Sequence, residues 1–279
     1  MRLPTAAAGP RHRVRLSRIF TALKLRMTAQ PDLTGAGPVA GVILVLAHAS
    51  DSGAASVAAS VCNLLSRAPM EVWTVRPEAL GRAAWLHTVD AHGSAHTRVV
   101  MPGRAALHSS QIRAVFNRIQ HLSVPRLSHT HPRHRNHGAT ELQALVLGWL
   151  AACGDCVIQP LWGQPWLVPQ LSLLRWSSAA ARCGLPVATR YAGTVAAAWD
   201  GTVLVAGGLT SGVLAGRLGV ACEATAQNLG FTLLEFRFNR KGESATLVDV
   251  SPHPALSDLE DIDAVARCLA DLAERTWLD

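Results

Sequence analysis

Val42-Ile-Leu-Val-Leu-Ala-His48 is the stretch on which the reading of this chain turns. An unbroken apolar run bounded by small and polar residues is the pattern of a strand buried on both faces. Behind it, Asp51 or Ser52 can cap a helix predicted to run to about Arg67, with Val57, Val61, Leu64 and Leu65 on one face. Residues 71–75 make a second strand, and this β-α-β start predicts a parallel sheet covered by helices.

Working outward, residues 98–101 and 105–108 flank Pro102-Gly103 and predict a short edge hairpin. Residues 112–119 predict a further strand that ends in Asn117-Arg118. The polar, His-, Pro- and Arg-rich stretch 121–138 reads as a loop. A helix is expected over 139–152, with Leu142, Leu145, Val146 and Trp149 at helical spacing. A short strand over 156–158, a Trp/Pro/Gly loop over 161–169, a helix over 171–183 and a strand over 186–191 complete this α/β half.

The second half has a different pattern. Residues 195–199 and 202–206 meet at Asp200-Gly201, a hairpin signal. A helix is expected over 217–229, closed by Gly230, then an antiparallel pair, 231–238 with 246–250, around Arg240-Lys-Gly242. A closing amphipathic helix covers 259–277. The domain reading is therefore a leader over 1–40, an α/β domain over 41–191 and a smaller, mainly antiparallel α+β part over 192–279.

The formal charge of +7 is unevenly distributed over the 279 residues. Residues 1–40 hold seven basic residues against one acid, Asp32, and so carry +6 of it. The nearly neutral remainder argues against a nucleic-acid-binding face on the folded part, leaving the leader as the only basic arm. The leader lacks an apolar core and a small-residue cleavage site, so a secretory signal is not expected, and Met27 is an alternative start. No run reaches the ~18–20 uncharged residues of a membrane span, and a cytoplasmic protein is expected. The six scattered cysteines do not form the framework of a small secreted domain.

Several of these segments together resemble an ATP-grasp enzyme, in particular the graspetide (microviridin-type) peptide ligases and related glutamate ligases. The matching residues are Phe116-Asn-Arg118, Glu141, Gln159-Pro160 and Gly184-Leu-Pro-Val-Ala-Thr189 in a pre-ATP-grasp-like unit. Gly230-Phe-Thr-Leu-Leu234 and Val248-Asp-Val-Ser-Pro252 match the end of an ATP-grasp domain. The resemblance implies ATP-dependent carboxylate–amine ligation through an acyl phosphate, with lysines clamping the nucleotide phosphates and carboxylates plus an Asn holding Mg²⁺. A polyanion has to be neutralised and a hard cation takes oxygen ligands, so these demands are physical.

The chain departs from that pattern where the chemistry would lie. The stretch 190–216 holds no lysine, and Lys241, the one Lys beyond the leader, falls in a predicted hairpin turn. Arg190 and Arg217 are candidate phosphate ligands, although an Arg does not simply replace a clamp Lys. Glu235 and Asp249 are the candidate metal ligands, weighed against a rim charge and a structural acceptor. Asp249-Val-Ser251-Pro252 stands where the family has an acidic residue and Asn-Pro. No catalytic residue is assigned.

The preferred ligand pocket gathers His48, Asp51, Asn117, Arg118 and Glu141 beyond the carboxyl ends of the strands, where open α/β sheets bind ligands; a structural Arg118–Glu141 ion pair is the competing reading. His129, His131, His134 and His137 are the densest set of metal-ligand types, although Arg133 and Arg135 between them would repel a cation. Cys153-Gly-Asp-Cys156 is read as packing rather than redox chemistry. Gly207-Gly-Leu-Thr-Ser-Gly212 lacks the Gly-Lys-Ser/Thr ending of a phosphate loop and is read as a turn. Trp149 and Trp176 are expected in the core, and Trp162 and Trp166 on the surface against a partner.

These readings converge on a reduced ATP-grasp-like protein without the nucleotide clamp. The expected role is a non-catalytic binding or accessory component in peptide modification or natural-product biosynthesis. No cofactor is expected in that case; ATP and Mg²⁺ belong to the ligase alternative. Expected partners are a peptide, a small carboxylate or a protein, with self-association allowed and no membrane.

Overall fold

The computed structural model describes residues 41–119, 122, 131–159, 172–188 and 199–278. Strand β1 (Gly41–Leu46) runs parallel to β2 (Met70–Val75) on one side and to β6 (Ile112–Asn117) on the other, giving the order β2-β1-β6. Every residue of β1 is buried. Its two faces go to different places: Ile43 and Val45 pack with Val57 and Val61 of α1 (Ser52–Leu64) and with Val265 and Leu269 of the last helix. Val42, Leu44 and Leu46 pack with Leu80, Val99, Val146 and Trp149. A strand between two cores has no polar face, which is why its sequence is an unbroken apolar run.

A short helix α2 (Pro77–Arg82) leads to a meander of β3 (Ala84–Val89), β4 (Ala95–Val100) and β5 (Ala106–His108), antiparallel throughout. The 98–108 hairpin is therefore present, with a third strand, β3, that was not anticipated. Its alternating Trp85, His87 and Val89 carried the signal.

Helix α3 (Pro132–Ala152) begins earlier than expected, because Pro132 is accommodated at a helix start and the His131 side chain accepts the Arg133 N–H. The expected strand over 156–158 is a 3₁₀ turn (Gly154–Cys156) and a single parallel bridge, Val115 to Val157. In α1, Leu64 is exposed while Leu65 turns inward. Helix α4 (Leu173–Arg182) follows, and Val187 makes one parallel bridge to Leu247.

The C-terminal sheet has the order β10-β9-β7-β8 and is antiparallel, built from β7 (Gly201–Ala206), β8 (Leu209–Ser211), β9 (Leu233–Lys241) and β10 (Ser244–Ser251). The hairpin turn lies at Gly207-Gly208 rather than Asp200-Gly201. Both glycines have positive φ, 60° and 90°, as a tight two-residue turn requires. β7 is flanked by β9 and β8, and Asp200 accepts the Arg240 N–H instead of turning a hairpin.

Helix α5 (Ala215–Leu229), capped by left-handed Gly230, covers one face of this sheet with α4. Leu234, Phe236 and Phe238 of β9 point into that core, so Leu233, Glu235 and Arg237 belong to the opposite face. Helix α6 (Leu259–Leu278) joins the sheets: one core cluster takes its Val265 and Leu269, Ile43 and Phe116 from the parallel sheet, and Leu204 and Leu233 from the antiparallel one. The fold is thus a mixed α/β structure, with a parallel unit first and an antiparallel α+β part second. Among the described residues no helix is long and apolar enough to cross a membrane.

Candidate functional site

Three groups of charged side chains gather at the carboxyl ends of β1, β2 and β6 and around the segment following β10. The first is centred on Arg118, immediately after β6. Its Nε donates to Asp51 Oδ2 at 2.6 Å, and its Nη1 donates to the Pro254 carbonyl at 2.7 Å. Asp51 uses its other oxygen to cap α1, accepting the Ala54 N–H at 2.9 Å. One carboxylate therefore satisfies a helix terminus and a guanidinium together.

Asn117 is buried beside them and accepts the Ile119 N–H with its Oδ1. Glu141 lies exposed on α3, and the carboxylate partner of Arg118 is Asp51, not Glu141. The sequence had put these two on neighbouring strand and helix ends, whereas the early start of α3 places Glu141 in mid-helix.

The segment 251–256 is held from several directions. Gln159 donates from Nε2 to the Pro252 carbonyl at 2.9 Å, the Ser251 hydroxyl and His253 backbone bond each other, and Glu235 accepts the Ala255 N–H. Burial pushes the His253 imidazole down to about pKa 4; nearby Arg118 pushes the same way and Asp51 opposes. Leu256 is the one non-glycine residue with positive φ, 54°, among the described residues. It packs against Gly53, where an added Cβ would lie 2.8 Å from the Leu256 Cβ.

The second group lies on the face of the antiparallel sheet opposite α4 and α5, the face whose Leu204 and Leu233 pack with α6. Glu235 and Arg237 are two residues apart on β9, and Asp249 of β10 is the cross-strand partner of Arg237. The guanidinium bridges both acids: Nε and Nη2 reach Glu235 Oε2 at 2.7 and 2.6 Å, and Nη1 reaches Asp249 Oδ2 at 3.1 Å. It also lies 5.2 Å from the centre of the Trp199 ring. Glu235 is buried, with Asp249 and Arg237 nearer the surface. Sequence reasoning named both carboxylates and missed the arginine. The signal was available, since residues i and i+2 of a strand share a face.

The third group lines a pocket of about 660 Å³ at the carboxyl ends of β1 and β2, with His48, Ser50, Thr74, Arg76, Glu78 and Arg82 in its wall. The structure thus divides the pocket expected from sequence: Asp51, Asn117 and Arg118 serve the joint with the 251–256 segment, and His48 faces a separate cleft.

Arg217 is exposed in the first turn of α5 and donates to the Glu243 carbonyl at the β9–β10 turn. Lys241 is exposed at the end of β9, next to that turn. Arg190, Trp162, Trp166 and His129 lie outside the described residues. His131, His134 and His137 are exposed on and before α3, and among the described residues no cluster of His, Cys, Asp or Glu is placed to hold a metal ion. Burial raises the Cys153 thiol to about 12 and raises Cys156 as well, which disfavours the thiolate that redox chemistry needs. Trp149 and Trp176 are in the core.

The β2-β1-β6 parallel unit, the helix-backed antiparallel sheet and the closing helix together make a fold like that of solved ATP-grasp ligases. Among solved structures, the chain is similar to the macrocyclase MdnB from Microcystis aeruginosa MRC, at a TM-score of 0.57 and 15% identity over 82% of this chain and 99% of that one. It is similar also to a RiPP-associated ATP-grasp ligase from Chryseobacterium gregarium, solved with ADP and a leader and core peptide (TM-score 0.62, 10% identity, 84% and 97% covered). A third is the macrocyclase MdnC bound to precursor peptide MdnA, also from Microcystis aeruginosa MRC (TM-score 0.59, 8% identity, 82% and 99% covered). At such identities the likeness is one of fold. No protein-family model matches the chain, and no curated protein matches it by sequence.

Proposed function

We propose that this chain is a peptide-binding accessory component of a peptide-modifying system, built on an ATP-grasp-like fold and without ligase activity of its own. The observation that carries this reading is Arg237, fixed between Glu235 and Asp249. A divalent cation takes carboxylate and water oxygens into its own shell. Here a guanidinium supplies the positive charge from within the chain and stands in the approach between the two acids, so the pair as folded does not fit Mg²⁺. The sequence adds that 190–216 has no lysine to neutralise a nucleotide phosphate chain. The peptide side rests on the fold: its solved neighbours from Microcystis and Chryseobacterium include structures with precursor, leader and core peptides.

Calorimetric titration of Mg·ATP, with Mg·ADP as companion, tests the reading. No heat of binding at high nucleotide is expected, and saturable binding in the micromolar range would overturn it. The second reading, an ATP-dependent carboxylate–amine ligase, draws on the same fold and on the ADP complex of the Chryseobacterium enzyme. It requires Arg237 to leave the acid pair when Mg·ATP enters. ATP turnover that disappears in Asp249→Ala would support that reading.

A further inference from the structure

The pocket at the carboxyl ends of β1 and β2 takes no part in either arginine-centred cluster. Its wall includes two guanidinium groups, Arg76 and Arg82, with the imidazole of His48 and the hydroxyls of Ser50 and Thr74, against a single acid, Glu78. Both arginines are exposed, and neither is in an ion pair among the described residues. The scaffold beneath them is tied to the sheet. Pairing of β1 with β2 extends to the rim through the Ala47 N–H and Val75 carbonyl at 3.0 Å, and Pro77 and Leu80 of α2 are buried. Arg76 and Arg82 thus flank a helix anchored to the parallel sheet at the edge where open α/β sheets receive ligands. A volume of about 660 Å³ lies in the range of ligand-binding clefts.

We propose that this pocket binds an acidic peptide segment, whose carboxylates pair with Arg76 and Arg82. A guanidinium fork matches a carboxylate with two parallel hydrogen bonds, and two such forks at separate points suit charges spaced along a chain. Glu78 favours a peptide over a compact polyphosphate: its carboxylate repels the denser charge of a polyphosphate more strongly than spaced carboxylates, and it can accept a backbone N–H, which a polyphosphate lacks. Ser50 and Thr74 can bond backbone amides between the acidic side chains. The proposal rests on the peptide-binding reading above and names the class of peptide.

The test uses the full chain and a fluorescein-labelled oligoglutamate peptide followed by anisotropy. Saturable binding is expected. The double variant Arg76→Ala/Arg82→Ala should weaken it by about tenfold or more, the scale of losing charge-assisted hydrogen bonds. Thr74→Glu, which keeps both arginines but adds an acid to the wall, should weaken it as well. The charge-matched variant Arg67→Ala/Arg133→Ala, with both positions exposed elsewhere, should leave binding unchanged.

Equal loss in that control would mean that overall positive charge, including the leader, holds the peptide, and would overturn the proposal. So would displacement by inorganic phosphate as effective as that by unlabelled peptide, or an absence of binding. A positive Mg·ATP titration would refute the accessory reading while leaving the Arg76/Arg82 result intact, so the two failures are distinguishable.

Discussion

Arg118 and Arg237 are both strand-associated arginines with carboxylate partners, yet their surroundings give them different tasks. Arg118 divides its donors between a side chain on the parallel unit, Asp51, and a backbone carbonyl at Pro254, beyond the antiparallel sheet. It ties together two segments 136 residues apart in sequence. Among the described residues, Arg237 turns its side-chain polar contacts to Glu235 and Asp249 within one strand pair and lies against Trp199. The first arginine is a joint. The second is a local counter-charge to the two acids Glu235 and Asp249. A strand-end ion pair therefore says little about function until the remaining donors of the arginine are traced.

The largest effect should come from breaking the joint. Arg118→Ala leaves a mostly buried Asp51 without its cation and the Pro254 carbonyl without its donor, for a loss on the order of 3 kcal/mol. Arg118→Lys should recover part of it, because an ammonium lacks the fork that reaches both partners. Urea unfolding of the three proteins decides this; a loss below about 1 kcal/mol for Arg118→Ala would place Arg118 with ordinary surface pairs.

Next is His253, in the segment that Arg118 anchors. Its folded pKa, about 4, lies below the ordinary value of 6.5. Above pH 6.5 both folded and unfolded states are neutral there, and His253 contributes nothing to pH dependence. Between 6.5 and about 4 only the unfolded state takes the proton, so stability falls as pH falls, by up to ~1.4 kcal/mol per pH unit from this one group. Unfolding at neutral pH and near pH 4.5 should show a smaller acid loss in His253→Gln than in the parent. An identical loss would show that the imidazole is already protonated or solvated in the folded state.

Arg237→Ala sharpens the contrast from the other side. Removing the counter-charge from buried Glu235 should cost about 2 kcal/mol, less than at the joint because Arg237 and Asp249 are more exposed. The variant should then regain stability on addition of Mg²⁺, whereas the parent should not, since a cation that binds only the folded state raises its apparent stability. If Mg²⁺ shifts the melting temperature of both proteins equally, or of neither, the guanidinium is not standing in for a cation.

The same contrast shows what the sequence disclosed. The parallel unit was legible because its signals are local and strong: an apolar run, a capping Asp51, a second strand. The β9–β10 pair and α6 were legible through turn residues and helical periodicity. The hairpin at Asp200-Gly201 was misread, because a tight-turn dipeptide gives no account of which strand edges are already occupied, and Gly207-Gly208 was the turn. The competing reading paired Arg118 with Glu141 where the structure pairs it with Asp51, because both acids lie at sequence distances that only tertiary structure can rank. Trp162, Trp166 and Arg190 lie outside the described residues.

The smallest predicted effect tests the joint through its packing. Gly53 lies in the first turn of α1, directly after the Asp51 cap, and helix propensity alone predicts that Gly53→Ala stabilises by up to about 1 kcal/mol. The structure predicts the opposite sign. A Cβ there would meet the Leu256 Cβ at 2.8 Å and its carbonyl oxygen at 3.1 Å, and Leu256 already sits at positive φ with little freedom to retreat. Overpacking against a backbone fixed by Arg118 and Glu235 should outweigh the propensity gain, leaving a net loss of about 1 kcal/mol. Repeating Gly53→Ala in the Arg118→Ala background separates the two causes. Once the 251–256 segment is released, the clash should relax and the substitution should become neutral or stabilising. Strict additivity of the two losses would mean that Arg118 does not hold that segment in place.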